Sequence, residues 1–440
     1  MRAADKLETA EEASVILSCL NRAAYRVYFG YSQMHKIQMH FYTIFCSCII
    51  LLFLVPDTYY KNMYGVLLTA LLTIFSFITA KNGELCCVNF RIYGAGLLVF
   101  AFFCFASVFT ARNTENAAKT FLLIITAFML YILSAVVSAE SKAVYKALSA
   151  IYIITVAISL WGIIQGIIGV EIDASLTDLS NNSGMPGRVY SIYGNPNNFA
   201  EILVLFFPLS FVCSLMTENK KRRVVMLFVL LLPIIALVMT YSRSSWLGFF
   251  VSVLIFVILV NKRLIPYLVC FFLLIFPLLP SSVFDRILTI GSLADSSNMY
   301  RIYIWQGVAR ILQNNFFSGV GLGVENFVSS YIMYCDNLAT EAVHSHNLYL
   351  EIWVETGILG LISFVIFIVG IIIKALNVSC GKNNRDRLIV CSSVSTLVGI
   401  SVTALFEYVW FYPRVMYAYF IVCGILVGTT RKIRKKAWRG

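Results

Sequence analysis

Two histidines lie two residues apart where a long polar stretch gives way to an apolar one. His344 and His346 are two of four histidines among 440 residues, and Asn347 and an apolar run follow them. Because an imidazole titrates near neutral pH, His346 is suited to take a proton from a hydroxyl group as a general base. His344, two residues earlier, points in a different direction and is expected at most to assist His346. The alternative is a hydrogen-bonded helix start that performs no chemistry.

Two arginines occur in segments that are otherwise poor in basic residues. Arg188 precedes the Gly-Asn-Pro-Asn turn at 194–197, and Arg243 lies in the serine-rich turn at 242–245. Each stands beside a predicted helix N-terminus, which favours an anion, and a guanidinium can form two parallel hydrogen bonds to a phosphate. The pair therefore predicts a diphosphate site. The alternative is that each arginine only anchors its helix at the level of the lipid headgroups.

The polar stretch before the histidines carries weaker signals. Arg301 and Trp305 are one helical turn apart, a spacing that suits a sugar or phosphate platform. The Gly-Val-Gly-Leu-Gly segment at 319–323 lacks the lysine of a phosphate-binding loop, so we expect it to let a loop pack closely on the rest of the molecule. Glu351 and Glu355, four residues apart, could partner a base or an arginine, with solvation at the membrane interface as the alternative.

The elements that must position these residues are membrane helices. The chain is 60% hydrophobic and 13% charged, with a mean hydropathy of +0.82, whereas soluble domains are about 25% charged. Apolar runs long enough to cross ~30 Å of hydrocarbon lie near 41–56, 63–80, 94–111, 119–138, 147–169, 198–216, 224–241, 245–260, 264–280, 349–373, 388–408 and 414–430. The sequence predicts an all-α polytopic membrane protein of about twelve transmembrane helices.

Lysine and arginine are concentrated in alternate short loops, which orients the predicted helices by the positive-inside rule. Both termini are then cytoplasmic, as an amphipathic N-terminal segment at 1–40 and a basic tail at 431–440. The transmembrane domain spans 41–430. One long extracytoplasmic loop, about 282–345, joins helices 9 and 10. The formal net charge of +12 follows largely from this bias, so it does not indicate a nucleic-acid partner.

The order of these motifs resembles the O-antigen ligase and O-antigen polymerase superfamily of bacterial envelope glycosyltransferases. The chain contains the pattern H-N-x9-G-x-x-G from His346 to Gly360 and the pattern R-x-x-x-L from Arg243 to Leu247. The twelve-span topology and the outer loop agree with the family. The resemblance covers roughly residues 150–430.

The resemblance implies a metal-independent enzyme without a cofactor, at the outer face of the bacterial cytoplasmic membrane. Its donor would be a glycan on undecaprenyl diphosphate, and its acceptor a glycan, a lipid or another envelope component. By motif, Arg188 and Arg243 would bind the diphosphate and His346 would activate the acceptor hydroxyl. Further candidates for substrate contacts are Arg301, Trp305, Asn347 and His344. A flippase and a chain-length regulator are the expected protein partners.

The competing hypothesis from another class is a multi-span solute transporter. Transporters are commonly built from related halves with broken helices at the membrane midplane. In this chain no similarity between halves is visible, and the charged motifs gather at one predicted membrane face. The sequence therefore favours glycan transfer, without separating a ligase from a polymerase.

Overall fold

The structure, a computed structural model, is all-helical in the part of the chain it describes. The described residues are 31–79, 92–171, 186–275, 277, 280–288, 291, 296–379 and 385–439. They contain no strand. The helices before the polar stretch are α1 Tyr31–Leu54, α2 Asn62–Thr79, α3 Ile92–Thr110, α4 Thr114–Ser138, α5 Ser141–Ile168, α6 Pro196–Met216, α7 Lys220–Val229, α8 Leu231–Met239, α9 Arg243–Asn261 and α10 Ile265–Ile275. Those that follow are α11 Ser281–Leu288, α12 Ser296–Asn315, α13 Val324–Tyr331, α14 Leu348–Ser379, α15 Arg385–Thr403 and α16 Pro413–Arg439.

Eight candidate membrane spans occur within these described ranges, judged by length and apolar composition, with three shorter apolar helices beside them. Two of the candidates are composite: one joins α7 to α8, and another runs from α9 into α10. The prediction of an all-α multi-pass membrane protein is confirmed. The count of twelve spans stays a prediction.

Small residues allow the helices of the core to approach closely. On α16, a Cβ at Gly424 or Gly428 would collide with the backbone of α4 at Tyr131 and Ala135. A similar contact joins α9 and α15, where Gly248 and Gly399 face each other's helices. Because lipid tails are as apolar as the side chains, such close packing stabilises helix pairs in membranes more than hydrophobic burial does.

The polar stretch predicted as the long outer loop consists mainly of helices α11, α12 and α13. Helices α12 and α13 share a second apolar core with the start of α14, in which Ile304, Val308, Phe327 and Val354 are buried. The apolar residues of these two helices are interspersed with polar ones, and α13 is also short, so they do not stand out as apolar runs in the sequence. Only their packing reveals them as a folded cap.

The glycine-rich segment 319–323 attaches this cap to α14. The backbone of Val320 donates to Val354 O at 2.7 Å, and that of Gly321 donates to Glu355 O at 3.2 Å. Gly319, Gly321 and Gly323 all have positive φ, and a Cβ at any of them would meet neighbouring atoms closely. The segment therefore permits close packing, as the sequence suggested, and it forms no phosphate-binding loop.

Gly357 bends α14 close to its N-terminal end. Its φ of 76° lies outside the helical region, and a Cβ there would collide with the backbone oxygen of Phe317. The first glycine of the H-N-x9-G-x-x-G pattern thus has a structural reason, since only glycine fits both the dihedral angle and the space. The segment before the bend carries Glu351 and Glu355.

The predicted terminal segments differ in how far the structure describes them. Residues 1–30 of the proposed segment 1–40 lie outside the described residues, and α1 begins at Tyr31. Helix α16 continues through the predicted basic tail 431–440 as far as Arg439. Within it, Lys432 is buried and forms an ion pair with Asp386 on α15 at 2.6 Å. The side of the membrane on which either terminus lies stays a prediction.

Candidate functional site

His346 lies in the turn that precedes α14, and its ring meets a carboxylate from a distant part of the chain. Nδ1 is 2.9 Å from Oε1 of Glu407, which lies between α15 and α16. Nε2 forms no hydrogen bond within the described part of the chain. An acid that binds one ring nitrogen fixes the orientation of the imidazole and stabilises its protonated form. The pair therefore has the arrangement of a general base with its supporting acid.

Glu407 connects His346 to two cationic side chains. Its Oε2 is 3.4 Å from Nη2 of Arg301, and it accepts a hydrogen bond of 3.2 Å from Nδ2 of Asn197. Asn197 Oδ1 in turn accepts from Nη2 of Arg188 at 2.6 Å. Burial opposes ionisation of Glu407, but the His346 ring, its hydrogen bond and Arg301 together bring the pKa of Glu407 below its ordinary value. The carboxylate is therefore ionised at neutral pH.

Arg188 is held before α6 by backbone as well as side-chain contacts. It is 8% exposed, and its Nε donates to Thr240 O at the end of α8, at 2.8 Å. Burial lowers its pKa to about 9, assisted by the charges of Arg286, Arg243 and Arg301 and opposed by Glu407. The charges of three further guanidinium groups therefore act on Arg188 at this site. Such a concentration of arginines favours a polyanion.

Arg243 and Arg301 reach the site from two different helices, α9 and α12. Arg243 is the first residue of α9, and its Nη2 contacts Oδ1 of Asn298 at 3.5 Å. Arg301 lies on α12, where its Nη1 donates to Oγ of Ser297 at 3.0 Å. The Nε of Arg301 is buried and has no hydrogen-bond partner among the residues that the structure describes. Arg286 on α11 and Arg301 on α12 thus come from the polar stretch, whereas Arg188 precedes α6 and Arg243 begins α9.

Two residues of this cluster were missed by sequence reasoning. Glu407 lies sixty-one positions after His346, and Arg286 is a buried residue of the short helix α11. Arg286 carried the same signal that identified Arg188 and Arg243, since it is basic in a segment predicted to face outward. Glu407 is an acid between two apolar runs, and an intramembrane or interfacial acid needs a partner. Neither position in the sequence indicates which side chain Arg286 or Glu407 contacts.

Trp305 and Asn347 bind the backbone around the His346 turn. Trp305 Nε1 donates to Ser345 O at 2.9 Å. Asn347 Oδ1 caps α14 by accepting from the backbone of Tyr349 at 2.9 Å and Leu350 at 3.0 Å. Its Nδ2 donates to Leu405 O, at 3.0 Å, in the segment that carries Glu407. These polar groups hold the turn in place.

The hypothesis that Glu351 or Glu355 partners the base or an arginine was wrong. Oε2 of Glu351 accepts from the backbone of Ser345 at 2.6 Å, and Oε1 of Glu355 accepts from the backbone of Gly323 at 2.8 Å. Both side chains are buried, so interface solvation is excluded as well. The first glutamates of α14 point to loops that pack on it, and Glu407 takes the position beside His346.

His344 is buried beneath the His346 turn and is 7% exposed. Its ring centroid is 4.2 Å from that of His346 and 4.5 Å from that of Phe411. Its Nδ1 accepts a hydrogen bond from the backbone of His346 at 3.1 Å. Burial, then the neighbouring His346, lowers the pKa of His344 to about 3. The ring is therefore neutral at physiological pH.

One group of side chains among the described residues has the spacing of a metal site. Ligand atoms of His344, His346 and Glu407 lie within 4.8 Å of one another. Glu407, however, already pairs with Arg301, and the surrounding guanidinium groups repel a divalent cation. The charge of the site fits an anion better than a metal ion, and metal independence stays a prediction.

Comparisons with known proteins agree on one family. Residues 203–365 match the family model described as O-Antigen ligase. A ComP-specific O-oligosaccharyltransferase of Acinetobacter baylyi is 27% identical over 308 residues, which cover 64% of this chain and 51% of that protein. A provisionally named polysaccharide ligase of Rickettsia conorii is 29% identical over 164 residues, covering 35% of this chain and 39% of that protein.

A second such ligase, from Rickettsia felis, is 25% identical over 210 residues, covering 45% of this chain and 51% of that protein. The chain thus spans about half the length, or less, of the curated relatives it matches. The matched family region contains Arg243, Arg301 and His346 together with the cap between them. This match and these relatives support the O-antigen ligase family for the chain.

Proposed function

We propose that this protein is a membrane glycosyltransferase of bacterial cell-surface polysaccharide assembly. It transfers or polymerises a glycan from an undecaprenyl-diphosphate donor onto an acceptor hydroxyl, at the outer face of the cytoplasmic membrane. The acceptor is a glycan, a lipid or another envelope component. The observation that carries this proposal is the contact of a histidine–glutamate pair with an arginine cluster, at the N-terminal ends of the apolar helices α6, α9 and α14.

His346 is the proposed general base. Its Nε2 takes the proton of the acceptor hydroxyl while the hydroxyl oxygen forms a bond to the anomeric carbon of the donor sugar. The bond from that carbon to the diphosphate oxygen breaks, and its electron pair leaves with the diphosphate. Glu407, 2.9 Å from Nδ1, stabilises the imidazolium until its proton passes to water. The products are the new glycoside and undecaprenyl diphosphate.

Arg188 and Arg243 are the proposed ligands of the leaving diphosphate, with Arg301 contributing from the cap. Transfer from a lipid diphosphate depends on stabilising the departing charge, and fixed guanidinium groups in a water-poor site do so effectively. Together with Arg286 these residues give the site four cations, which supports the proposal that the reaction needs no metal ion. Trp305, Asn347 and His344 serve the site by holding the His346 turn in shape.

We also propose how the whole protein lies in the membrane. We place about twelve spans across the cytoplasmic membrane, both termini inside and the cap formed by α11, α12 and α13 outside. This arrangement presents the site to a lipid-linked glycan that a flippase has delivered to the outer leaflet. A chain-length regulator would act on the product. The lysine and arginine distribution supports this orientation.

A binding experiment tests the donor class independently of turnover. Purified protein in detergent should bind a polyprenyl diphosphate at least tenfold more tightly than the matching monophosphate, because the second phosphate occupies further guanidinium groups. Added salt should weaken the diphosphate more than the monophosphate. Equal affinity for both lipids would contradict the proposed donor.

A further inference from the structure

The backbone of His346 adopts a conformation that residues with a side chain rarely adopt. Its φ of 49° lies in the left-handed region, and His346 is one of three non-glycine residues with positive φ in the described part of the chain. Such a conformation persists only where neighbouring contacts impose it, and it is often found at functional sites. The contacts that impose it therefore determine where the imidazole of the proposed base points.

Most hydrogen bonds to the backbone of the turn are made by Ser345 and few by His346. The backbone N–H of Ser345 donates to Glu351 at 2.6 Å, its oxygen accepts from Trp305 at 2.9 Å, and its Oγ donates to Asn347 O at 2.9 Å. The backbone N–H of His346 has one partner among the described residues, Nδ1 of His344, at 3.1 Å. That bond joins a side chain to the N–H two residues later, as an Asx turn does.

The surroundings of His344 exclude direct chemistry by its ring. The ring is buried against His346, Phe411 and Tyr408, with centroid distances of 4.2, 4.5 and 5.7 Å. Because Nδ1 accepts a hydrogen bond, the proton of the neutral ring is on Nε2. The nitrogen lone pair that a base would use is therefore already occupied, and the ring is shielded from a substrate.

We propose that His344 is a positioning residue that holds His346 in its left-handed conformation through the Nδ1 bond to the backbone and touches no substrate itself. The proposal rests on the proposed function only for its activity readout. The essential feature of His344 is then its Nδ1, which accepts the hydrogen bond from the backbone of His346. The ability of the ring to titrate and its packing against aromatic side chains matter less for this role.

Two substitutions separate these properties. In His344→Asn, the side-chain oxygen can still accept from the N–H two residues later, although the ring and its proton are lost. In His344→Phe, the ring packing is kept and the acceptor is lost. We expect His344→Asn to keep kcat within about threefold of the wild type. His344→Phe should lose about 10²-fold in kcat, the cost of misplacing a catalytic group by about 1 Å, with KM for the donor unchanged.

Hydrogen exchange of the His346 backbone amide provides a readout that does not depend on the reaction. In a peptide covering 344–350, exchange should accelerate in His344→Phe and stay close to wild type in His344→Asn. The midpoint of the rate–pH profile of His344→Asn should also be unchanged, since His344 does not titrate in the reaction. Thermal unfolding of each variant shows whether it has folded.

The outcomes distinguish the two proposals from each other. If His344→Asn is as inactive as His344→Phe while the His346 amide stays protected, the imidazole itself is needed and the positioning role is wrong. Unchanged activity and exchange in His344→Phe would also overturn it. If the wild-type protein transfers no glycan, the proposed function fails, whereas the exchange comparison still decides whether His344 holds the turn.

Discussion

At the scale of single residues, the chemistry of the site depends on a carboxylate placed between a base and an excess of cations. Glu407 contacts His346 and Arg301 directly and reaches Arg188 through Asn197. If the arginines bind the diphosphate as proposed, donor binding and orientation of the base are connected through this one side chain.

Removing the proposed base should abolish transfer without removing the protein from the membrane. We expect His346→Ala to lose about 10²- to 10⁴-fold in kcat, the usual contribution of a general base. His40→Ala, which changes an exposed histidine far away in the sequence, is the matched control. Rates are measured by chromatography of the glycan product. A near-normal rate in His346→Ala would refute the base assignment.

The arginines proposed to bind the diphosphate should tolerate lysine poorly. Arg188→Lys and Arg243→Lys keep the charge but lose the paired hydrogen bonds of the guanidinium, so KM for the donor should rise at least tenfold. Arg310→Lys is the control, because Arg310 is exposed and donates to the backbone of Tyr334. If the two site variants behave like the control, the arginines are interfacial anchors.

The Glu407 carboxylate should affect the pH dependence of the reaction. Its pKa is lowered, so it stays ionised, and the ion pairs contribute stability that is present above its ordinary pKa and lost as the pH falls below it. In Glu407→Gln the imidazolium loses its carboxylate. We expect kcat to fall about tenfold or more and the acidic limb of the rate–pH profile to move to lower pH. An unshifted limb would show that Glu407 does not act on the base.

The sequence predicts those residues of the site whose type is unusual for the segment in which they lie. His346, Arg188, Arg243 and Arg301 are unusual in their segments, and the structure brings all four into one cluster. Glu407 was missed because its role comes from a contact between distant segments. Burial also could not be foreseen for Glu351, which looks like an interfacial acid in the sequence and binds a backbone amide in the fold.

At the scale of elements, a bend in one helix and a folded cap position the site. Apolar runs predicted the membrane helices well, because length and composition suffice for them. The same criterion treated 282–345 as a loop, because α11 and α13 are short and α12, although long enough, is too polar to form an apolar run. The bend at Gly357 was likewise invisible, as it needs the neighbouring Phe317 backbone to explain it.

Adding a side chain at the bend should destabilise the junction between α14 and the cap. In Gly357→Ala, the new Cβ meets both an unfavourable φ of 76° and the backbone of Phe317. Strain of about 1–3 kcal/mol is expected from the dihedral angle alone. Gly169→Ala is the control, because its φ is 99° but nothing lies within 4 Å. Thermal unfolding in detergent should show a larger loss for Gly357→Ala, and an equal loss would exclude the collision.

At the scale of the whole molecule, the proposal requires the cap to lie outside the cytoplasmic membrane. We expect Leu338→Cys, at a position that is 64% exposed, to react with an impermeant maleimide in intact cells when the other cysteines are removed. Glu218→Cys, in the loop between α6 and α7, should react only after permeabilisation. The reverse pattern would invert the topology.

The most direct measurement quantifies both expected reaction products, the transferred glycan and the released polyprenyl diphosphate, with purified protein. Wild-type protein given a lipid-diphosphate-linked oligosaccharide and an acceptor in EDTA should release one polyprenyl diphosphate for each glycan transferred, and His346→Ala should release almost none. Turnover restored only by magnesium or manganese would contradict the arginine account. If the protein moved a solute across sealed liposomes and left every lipid-linked glycan intact, it would be a transporter, and His346 would not be a catalytic base.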